Sequence, residues 1–446
     1  MSIRTSIAQS VGKFTKWGLT TFTNGGSSLP GKLAQTLDPN ILNHLAENYD
    51  VAVITGTNGK TLTTALTVQA LAEKYPNILT NPTGSNMQQG IISAFLDAKP
   101  LKNGERGIAI LEIDEGSLKH VVKALQPKVF LHTNVFRDQM DRYGEIYTIY
   151  SLMTDAAKMV PQATVIANGD SPIFNSTSLE NPREFYGFDY QEDHEVQVAP
   201  NTDAILCPHC DHVLQYHSLS YANLGKYYCP NCDFKRPALT HSVNALHELT
   251  LKDSSFQIDG HDFTIPVAGL YNIYNALSAY SLASFFGLSP EQIKAGFSKA
   301  KRVFGRQEIF EIEGHQILLN LVKNPVGLNQ VLDLVNLDQN PYSLVAILNN
   351  DYADGTDVSW IWDGHFEKLQ DAPIQEVITS GMKAKEMTRR LEVAGLDKNG
   401  IQEVSDYQAL VEQIKQSPSK NVHILATYTA ILGLRKYLID HHYLKQ

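Results

Sequence analysis

An α/β architecture built on mostly parallel sheets is what this sequence predicts, and three observations carry the prediction. From Val51 onward, apolar strand-like runs alternate with helical stretches. Those runs are continuously apolar, the pattern of strands buried on both faces. The first of them ends in a Gly-rich turn, Gly56-Thr57-Asn58-Gly59-Lys60-Thr61, and a helix follows over Leu62 to Glu73. Strand, tight turn and helix N-terminus aim backbone N–H groups at one point, which suits a phosphate. Lys60 is then positioned for the β- and γ-phosphates, and the Thr61 hydroxyl for Mg²⁺. The standard phosphate-loop pattern has Gly where Ile54 stands, so the match is imperfect. A plain structural turn is the competing reading, and the flanking strand and helix weigh against it.

The elements follow in order. Met1 to Pro30 places Arg4, Lys13 and Lys16 among apolar residues. It lacks the continuous apolar stretch and cleavage site of a signal peptide, so a packed helix is expected, with an amphipathic helix on a membrane surface as the alternative. Gly107 to Ile113, Lys128 to Thr133 and Ala163 to Asn168 read as strands, with helices at Gly116 to Leu125 and Glu145 to Met159. Phe263 to Ala268 reads as a strand and Asn272 to Phe286 as a helix. A second α/β unit starts near Gly305, with strands at Gln316 to Leu321, Tyr342 to Asn349, Glu376 to Ser380 and Val422 to Ala426. Its helices fit at Lys383 to Ala394, Tyr407 to Lys415 and Thr429 to Ile439. Two such units facing each other leave a cleft, the usual place for a ligand that both grip.

A chain of 446 residues holds two or three domains. Its net charge of −10 and the lack of a basic run argue against a nucleic-acid partner. No apolar run approaches the ~20 residues that span a bilayer, and a cytoplasmic chain is expected.

All four cysteines form two knuckles, Cys207-Pro-His-Cys210 and Cys229-Pro-Asn-Cys232. This spacing is a strong signal for tetrahedral zinc, and four thiolates leave no open position, so the site should be structural. Two disulfides compete but do not suit a cytoplasmic ATP-binding chain. His209 and His212 lie nearby and read as solvent-facing. Tyr216, Tyr221, Tyr227 and Tyr228 fall between the knuckles with few basic residues, which favours an inserted clip over a nucleic-acid ribbon.

The run Ile108 to Gly116 is an apolar strand ending in Glu112, Asp114 and Glu115. A carboxylate there commonly completes a Mg²⁺ shell opposite a phosphate loop, and all three qualify. Capping of the next helix is the bland alternative, better suited to Asp114 or Glu115.

Six motifs now stand in order: the Gly56–Thr61 loop, the Leu111-Glu112 strand end, Asn134…Asp138…Asp141…Gly144, Tyr274-Asn275-Ala276, Gly305-Arg306 and Lys323-Asn324-Pro325. Together they resemble the successive signatures of the Mur ligase superfamily over nearly the whole chain from about residue 50. Three departures narrow the resemblance. Only some fifty residues precede the loop, where relatives that use nucleotide-linked precursors carry a further domain. Gln139 and Tyr143 stand where the superfamily usually has His. The four-cysteine insert is atypical. With these departures the chain resembles the MurT family, Mur-like subunits of lipid II isoglutaminyl synthases that pair with a separate GatD-type glutaminase.

The resemblance implies a helical lead-in over 1–48 and a central ATP-binding domain over 49–304, with the zinc insert at about 203–237. A C-terminal Rossmann-like domain over 305–446 would contact the glutaminase. It implies a carbon–nitrogen ligase that amidates the D-glutamate α-carboxylate of the lipid II stem peptide through an acyl phosphate, using ATP, Mg²⁺ and ammonia from the partner. Lys60, Thr61 and Glu112 would hold the phosphates and Mg²⁺, Asn275 the adenine side and Arg306 the γ-phosphate, while Asn320 stands where relatives often place an acidic ribose contact. Asn275 as a helix cap, Arg306 as a surface ion pair and Lys323-Asn324-Pro325 as a strand end are the bland readings.

The run Asn349 to Asp363 carries Asp351, Asp354, Asp357 and Asp363, with Trp360 and Trp362 around Ile361. Such a run ordinarily forms turns; the aromatic residues suggest partner anchors. The family resemblance implies that Asp357, with Asp354 second, supplies the acid of a Cys-His-Asp triad whose other members lie on the glutaminase. A stand-alone Mur-type ligase adding an amino acid to a carboxylate is the alternative enzyme. A zinc-ribbon binding module using ATP as a switch is the non-enzymatic one.

Overall fold

The computed structural model describes residues 3–22, 28–81, 85–102, 104–138, 145–190, 194, 196, 205–300, 306–397 and 400–444. Two sheets organise them. The larger is built from β1 (Tyr49–Thr55), β2 (Ile78–Thr80), β3 (Gly107–Glu112), β4 (Val129–His132), β5 (Thr164–Asn168) and β6 (Arg183–Phe188). After β7 (Gln215–Tyr221) and β8 (Leu224–Tyr228), which pair only with each other, it is completed by β9 (His241–Leu249), β10 (Ser254–Ile258) and β11 (His261–Ile265). Its order is β11-β10-β9-β6-β5-β4-β1-β3-β2. The strands from β2 to β9 in that row run parallel, and β10 and β11 turn back antiparallel at the edge. The expected strand at Phe263 to Ala268 is thus the outer arm of a hairpin, tightened by Asp259 and Gly260, both with positive φ.

The continuous apolar runs do serve two faces. Val51 and Val53 point into one core with Ala109, Leu111 and Phe130; Ala52 and Ile54 point into the other with Ile110 and Leu131.

The second sheet contains β12 (Glu308–Ile312), β13 (His315–Leu321), β14 (Tyr342–Ile347), β15 (Ile374–Ser380), β16 (Ile401–Glu403) and β17 (Asn421–Ala426), ordered β12-β13-β17-β14-β15-β16. All pairs are parallel except the β12–β13 hairpin. Leu344 and Ala346 face one core, Val345 and Ile347 the other.

Helix Ile3–Phe22 lies on helices Leu29–Leu37 and Gln88–Leu96; Thr5 donates to Asp38 at 2.7 Å, and a Cβ at Gly12 would stand 2.6 Å from Leu96. The helix expected from Gly116 starts instead as a 3₁₀ turn, Glu115–Ser117, because the Asp114 carboxylate accepts the Gly116 N–H and tightens the entry. Among the described residues, no helix is long and apolar enough to cross a membrane.

Candidate active site

In the larger sheet, β1 lies between β3 and β4, so the loop at its C-terminal end meets the ends of both neighbours. Such a crevice outside the carboxyl ends of parallel strands is where open α/β sheets bind ligands. Helix Lys60–Leu71 begins directly after the loop, with Gly59 at φ +86° as its cap. A Cβ there would stand 2.0 Å from Asn275 Oδ1, so backbone sign and crowding both require glycine.

From the β4 side, the Asn134 carboxamide clamps the loop: its Oδ1 accepts the Asn58 N–H at 2.8 Å and its Nδ2 donates to Asn58 O at 3.0 Å. From the β3 side, Glu115 Oε1 accepts the Gly56 N–H at 2.9 Å and pairs with Lys60 Nζ at 3.1 Å. Burial disfavours the Lys60 cation, yet Glu115, with Glu112 and Asp114, outweighs it and holds the pKa above the ordinary range. Thr61 Oγ1 donates to Glu112 Oε1 at 3.3 Å. The three acidic neighbours therefore divide: Asp114 caps, Glu115 holds the loop and its lysine, and Glu112 faces the Thr61 hydroxyl. Sequence reasoning left Glu115 without this part.

The C-terminal unit reaches the same loop. Lys323 Nζ pairs with Asp138 at 2.5 Å and lies 3.4 Å from Thr57 O. Asn324 Nδ2 donates to Asn58 Oδ1 at 3.1 Å, while Asn324 Oδ1 caps helix Pro325–Val335 through Gly327 N. The Lys323-Asn324-Pro325 turn is thus more than a strand end. A second bridge joins Arg137 to Asp363.

Between the units lies a cleft lined by Asn58, Gly59, Arg306, Asn320 and Lys323, with Tyr221, Tyr271 and Phe136 as its aromatic wall. The Asn320 side chain is buried there, and its Nδ2 has no hydrogen-bond partner among the described residues. The N-terminus of helix Lys60–Leu71, a lysine and an unsatisfied amide on the opposite wall fit a nucleotide. Asn275 is buried behind Gly59, with its Nδ2 3.2 Å from Asn272 Oδ1, and does not line the cleft. Asp141, Gly144 and Gly305, and also Gln139 and Tyr143, lie outside the described residues.

Tyr221 was visible in the sequence only as one aromatic of the insert. The β7–β8 hairpin carries it into the cleft, 6.2 Å from Phe136 and 5.7 Å from Tyr274 between ring centroids. Asp170 fastens the insert to the sheet: it accepts from Tyr274 Oη at 2.7 Å and Arg236 Nη1 at 3.1 Å. Burial pushes the Asp170 carboxyl up, against the pull of Arg236.

The four cysteine sulfurs lie within 4.8 Å of one another: Cys210 is 3.4 Å from Cys229 and 3.6 Å from Cys232, which is 3.6 Å from Cys207. That is too far for S–S bonds and suits one tetrahedral ion. His209 N and Asn231 N each donate to the first sulfur of a knuckle at 3.4 Å. His209 packs on Phe234 and His212 lies on Cys210 O, so neither joins the sulfur group.

In the acidic loop the two candidate carboxylates part. Asp354 is buried and accepts from Thr429 N at 2.8 Å and Thr429 Oγ1 at 2.5 Å. Asp357 is exposed, steadied by Ser359 N at 2.8 Å and Ser359 Oγ at 2.9 Å. Trp360 packs on the C-terminal core; Trp362 is exposed at the rim.

Residues 54–231 match the Mur ligase middle domain and residues 321–431 the MurT ligase C-terminal domain. Among solved structures, a pseudomurein peptide ligase type C from Methanothermus fervidus aligns with a TM-score of 0.67 at 18% identity, over 95% of this chain and 85% of that one. MurF from Acinetobacter baumannii aligns at 0.65 and 16%, over 93% and 81%. These likenesses show the fold. Among curated proteins, the MurT subunit of lipid II isoglutaminyl synthase from Staphylococcus aureus strain COL is 34% identical over 86% of each chain. The MurT subunit of the glutamine-hydrolysing lipid II isoglutaminyl synthase of Streptococcus pneumoniae R6 is 47% identical over 98% of each. A Mur-ligase fold, a matching C-terminal domain and full-length identity at that level place this chain in the MurT family of Mur-type ligases.

Proposed function

We propose that the chain is the ligase subunit of a lipid II isoglutaminyl synthase, amidating the D-glutamate α-carboxylate of the stem peptide. The observation that carries this is the 47% identity over 98% of both chains to a protein of that name. Its division would be a helical lead-in over 1–48, an ATP-binding domain over 49–304 with the insert at about 203–237, and a C-terminal domain over 305–446.

The chemistry asks for charge neutralisation more than for acid–base work. A carboxylate is a poor electrophile. Its oxygen attacks the γ-phosphorus of ATP and ADP leaves; ammonia then attacks the acyl carbon, phosphate departs and a proton goes to solvent. The N–H groups that open helix Lys60–Leu71, together with Lys60, hold the phosphates in line, which is most of what phosphoryl transfer needs. Thr61 and Glu112 would hold Mg²⁺, which when bound neutralises charge on the β- and γ-oxygens. Arg306 meets the γ-phosphate and Asn320 the ribose. Asn275 acts through Gly59, shaping the turn on the adenine side. The four cysteines hold zinc.

Ammonia comes from a GatD-type partner. Asp357 completes that partner's triad by orienting its histidine. The exposure of Asp357 supports this, as does the internal engagement of Asp354. A lipid-linked substrate puts the protein at the inner face of the membrane.

The test is mass spectrometry of lipid II incubated with the protein, ATP, Mg²⁺ and ammonium, with and without a co-expressed glutaminase. The expected product has one hydroxyl replaced by an amino group, and glutamine replaces ammonium only with the partner present. Product carrying an added amino acid, or no product from folded, ATP-binding protein, overturns the reading.

A further inference from the structure

Helix Ile3–Phe22 buries one side and offers another. Thr5, Ala8 and Gly12 lie on its inner face against the neighbouring helices. At a helical repeat, Ile3, Ile7, Phe14 and Trp17 fall on the opposite face. They are 83%, 53%, 69% and 57% exposed. The adjoining helix Leu29–Leu37 adds Leu33 and Leu37, one turn apart and also exposed. Large apolar side chains gathered on adjoining helices are not a casual surface; such a patch marks an interaction site.

Charge says what covers it. Residues 1–37 hold Arg4, Lys13, Lys16 and Lys32 and no Asp or Glu, in a chain whose net charge is −10. Arg4 and Lys13 fall on the two flanks of the apolar face; Arg4 Nε donates to Leu37 O at 2.5 Å, and Lys16 is turned inward to Asp97 at 2.7 Å. An apolar strip with aromatic residues, cationic edges and no anion is the profile of a helix lying in the plane of an anionic bilayer. A soluble, acidic partner would meet the cations but leave Phe14 and Trp17 unmatched.

We infer that helices Ile3–Phe22 and Leu29–Leu37 form a docking face for an anionic lipid surface, which holds the ligase beside its substrate; the purpose, though not the docking, rests on the proposed lipid-linked substrate. The apolar face enters the headgroup boundary and Lys13 and Lys32 meet the lipid phosphates. The active-site cleft is built from other elements, so docking does not occlude it.

The experiment is co-sedimentation of the full chain with vesicles of equimolar phosphatidylcholine and phosphatidylglycerol, and with pure phosphatidylcholine vesicles. Binding to the anionic vesicles is expected, weakened by salt. Phe14→Glu with Trp17→Glu should lower it by about tenfold or more. Lys13→Gln with Lys32→Gln should lower it by about tenfold on anionic vesicles and leave the weak binding to neutral ones unchanged. All these side chains are exposed, and circular dichroism confirms that each variant is folded.

No binding by the wild type, or binding indifferent to the Phe14/Trp17 pair, overturns the proposal. So does a wild-type dimer, seen by sedimentation velocity, that the pair dissolves without any vesicle binding; that result assigns the face to a second copy. Amidation is measured in parallel on vesicle-embedded and detergent-solubilised lipid II. The pair should lose the first and keep the second. If wild type amidates neither yet binds vesicles, the proposed function fails and the docking face stands.

Discussion

At the scale of residues, the sequence showed which chemical groups were present but not which neighbours would claim them. By residue type Glu112, Asp114 and Glu115 all qualified as Mg²⁺ ligands, with the family resemblance alone favouring Glu112; β3 and its following turn give each a different partner. Asp354 and Asp357 differ in the same way, and a double prediction separates them. Asp357→Asn should cut glutamine-driven amidation by roughly 10⁴-fold and leave ammonium-driven amidation intact, as expected for a carboxylate that orients a partner's histidine. Asp354→Asn should instead lower stability by about 1–2 kcal/mol, read as a shift in thermal melting, since it weakens the bonds to Thr429. His132, which no motif flagged, gives a pH prediction. It is buried against Phe174 with ring centroids 5.7 Å apart, and burial, with help from Arg183, lowers its pKa from 6.5 to about 3. Above pH 6.5 both folded and unfolded forms are neutral and nothing is lost. As pH falls below 6.5 the unfolded chain takes up a proton that the folded chain refuses, so stability should drop by about 1.4 kcal/mol per pH unit from this group until about pH 3. Denaturant titrations at several pH values should show His132→Phe with a slope shallower by that amount.

At the scale of elements, β1, β3, β4, β5, β13, β14, β15 and β17 were legible because each holds an apolar run bounded by polar residues, whereas the short β2 and β16 and the mixed β6 were not. β10 and β12 were not, since their faces alternate and the apolar signal is halved, nor was β9, of which only Val243 is fully buried. A cue was nonetheless present: Asp259-Gly260 joins β10 to β11, the dipeptide most strongly tied to tight hairpins. Likewise the Ser289…Gln292 capping box announced helix Pro290–Ser298. The clustering of the four cysteines was legible from their spacing, but the sequence was silent about the insert's reach, because periodicity does not say which sheet a hairpin will lean on. Its position would tie the proposed metal to the proposed nucleotide site. Chelating zinc, or Cys210→Ser, should loosen Tyr221 at the cleft and weaken ATP binding by about tenfold, the worth of one well-placed aromatic contact. Calorimetric titration of ATP before and after metal removal, with far-ultraviolet circular dichroism as the control for the rest of the fold, is the check. Unchanged ATP affinity in the metal-free protein would confine the insert to local stability.

At the scale of the whole molecule, the cleft was expected from two α/β units facing each other, whereas its fastenings were not, because contacts more than 180 residues apart leave no trace in local pattern. Lys323 with Asp138 and Asn324 with Asn58 register the C-terminal unit on the phosphate loop. Lys323→Ala should therefore lower amidation turnover by about 100-fold, the usual effect of a small misplacement between reacting groups. A double-mutant cycle with Asp138→Ala should return a coupling of about 1 kcal/mol in stability. Additive effects on both readouts would mean that the pair merely coexists. One consequence of the loop extends to populations of cells. Gly59 is fixed twice over, by its backbone sign and by Asn275 pressed against the place a side chain would occupy. Every amino-acid substitution there inserts a Cβ against Asn275 in a backbone conformation that favours glycine. An inhibitor seated against this turn would meet a target with few routes to resistance, since drift at this position ends in a protein that cannot form its own nucleotide pocket.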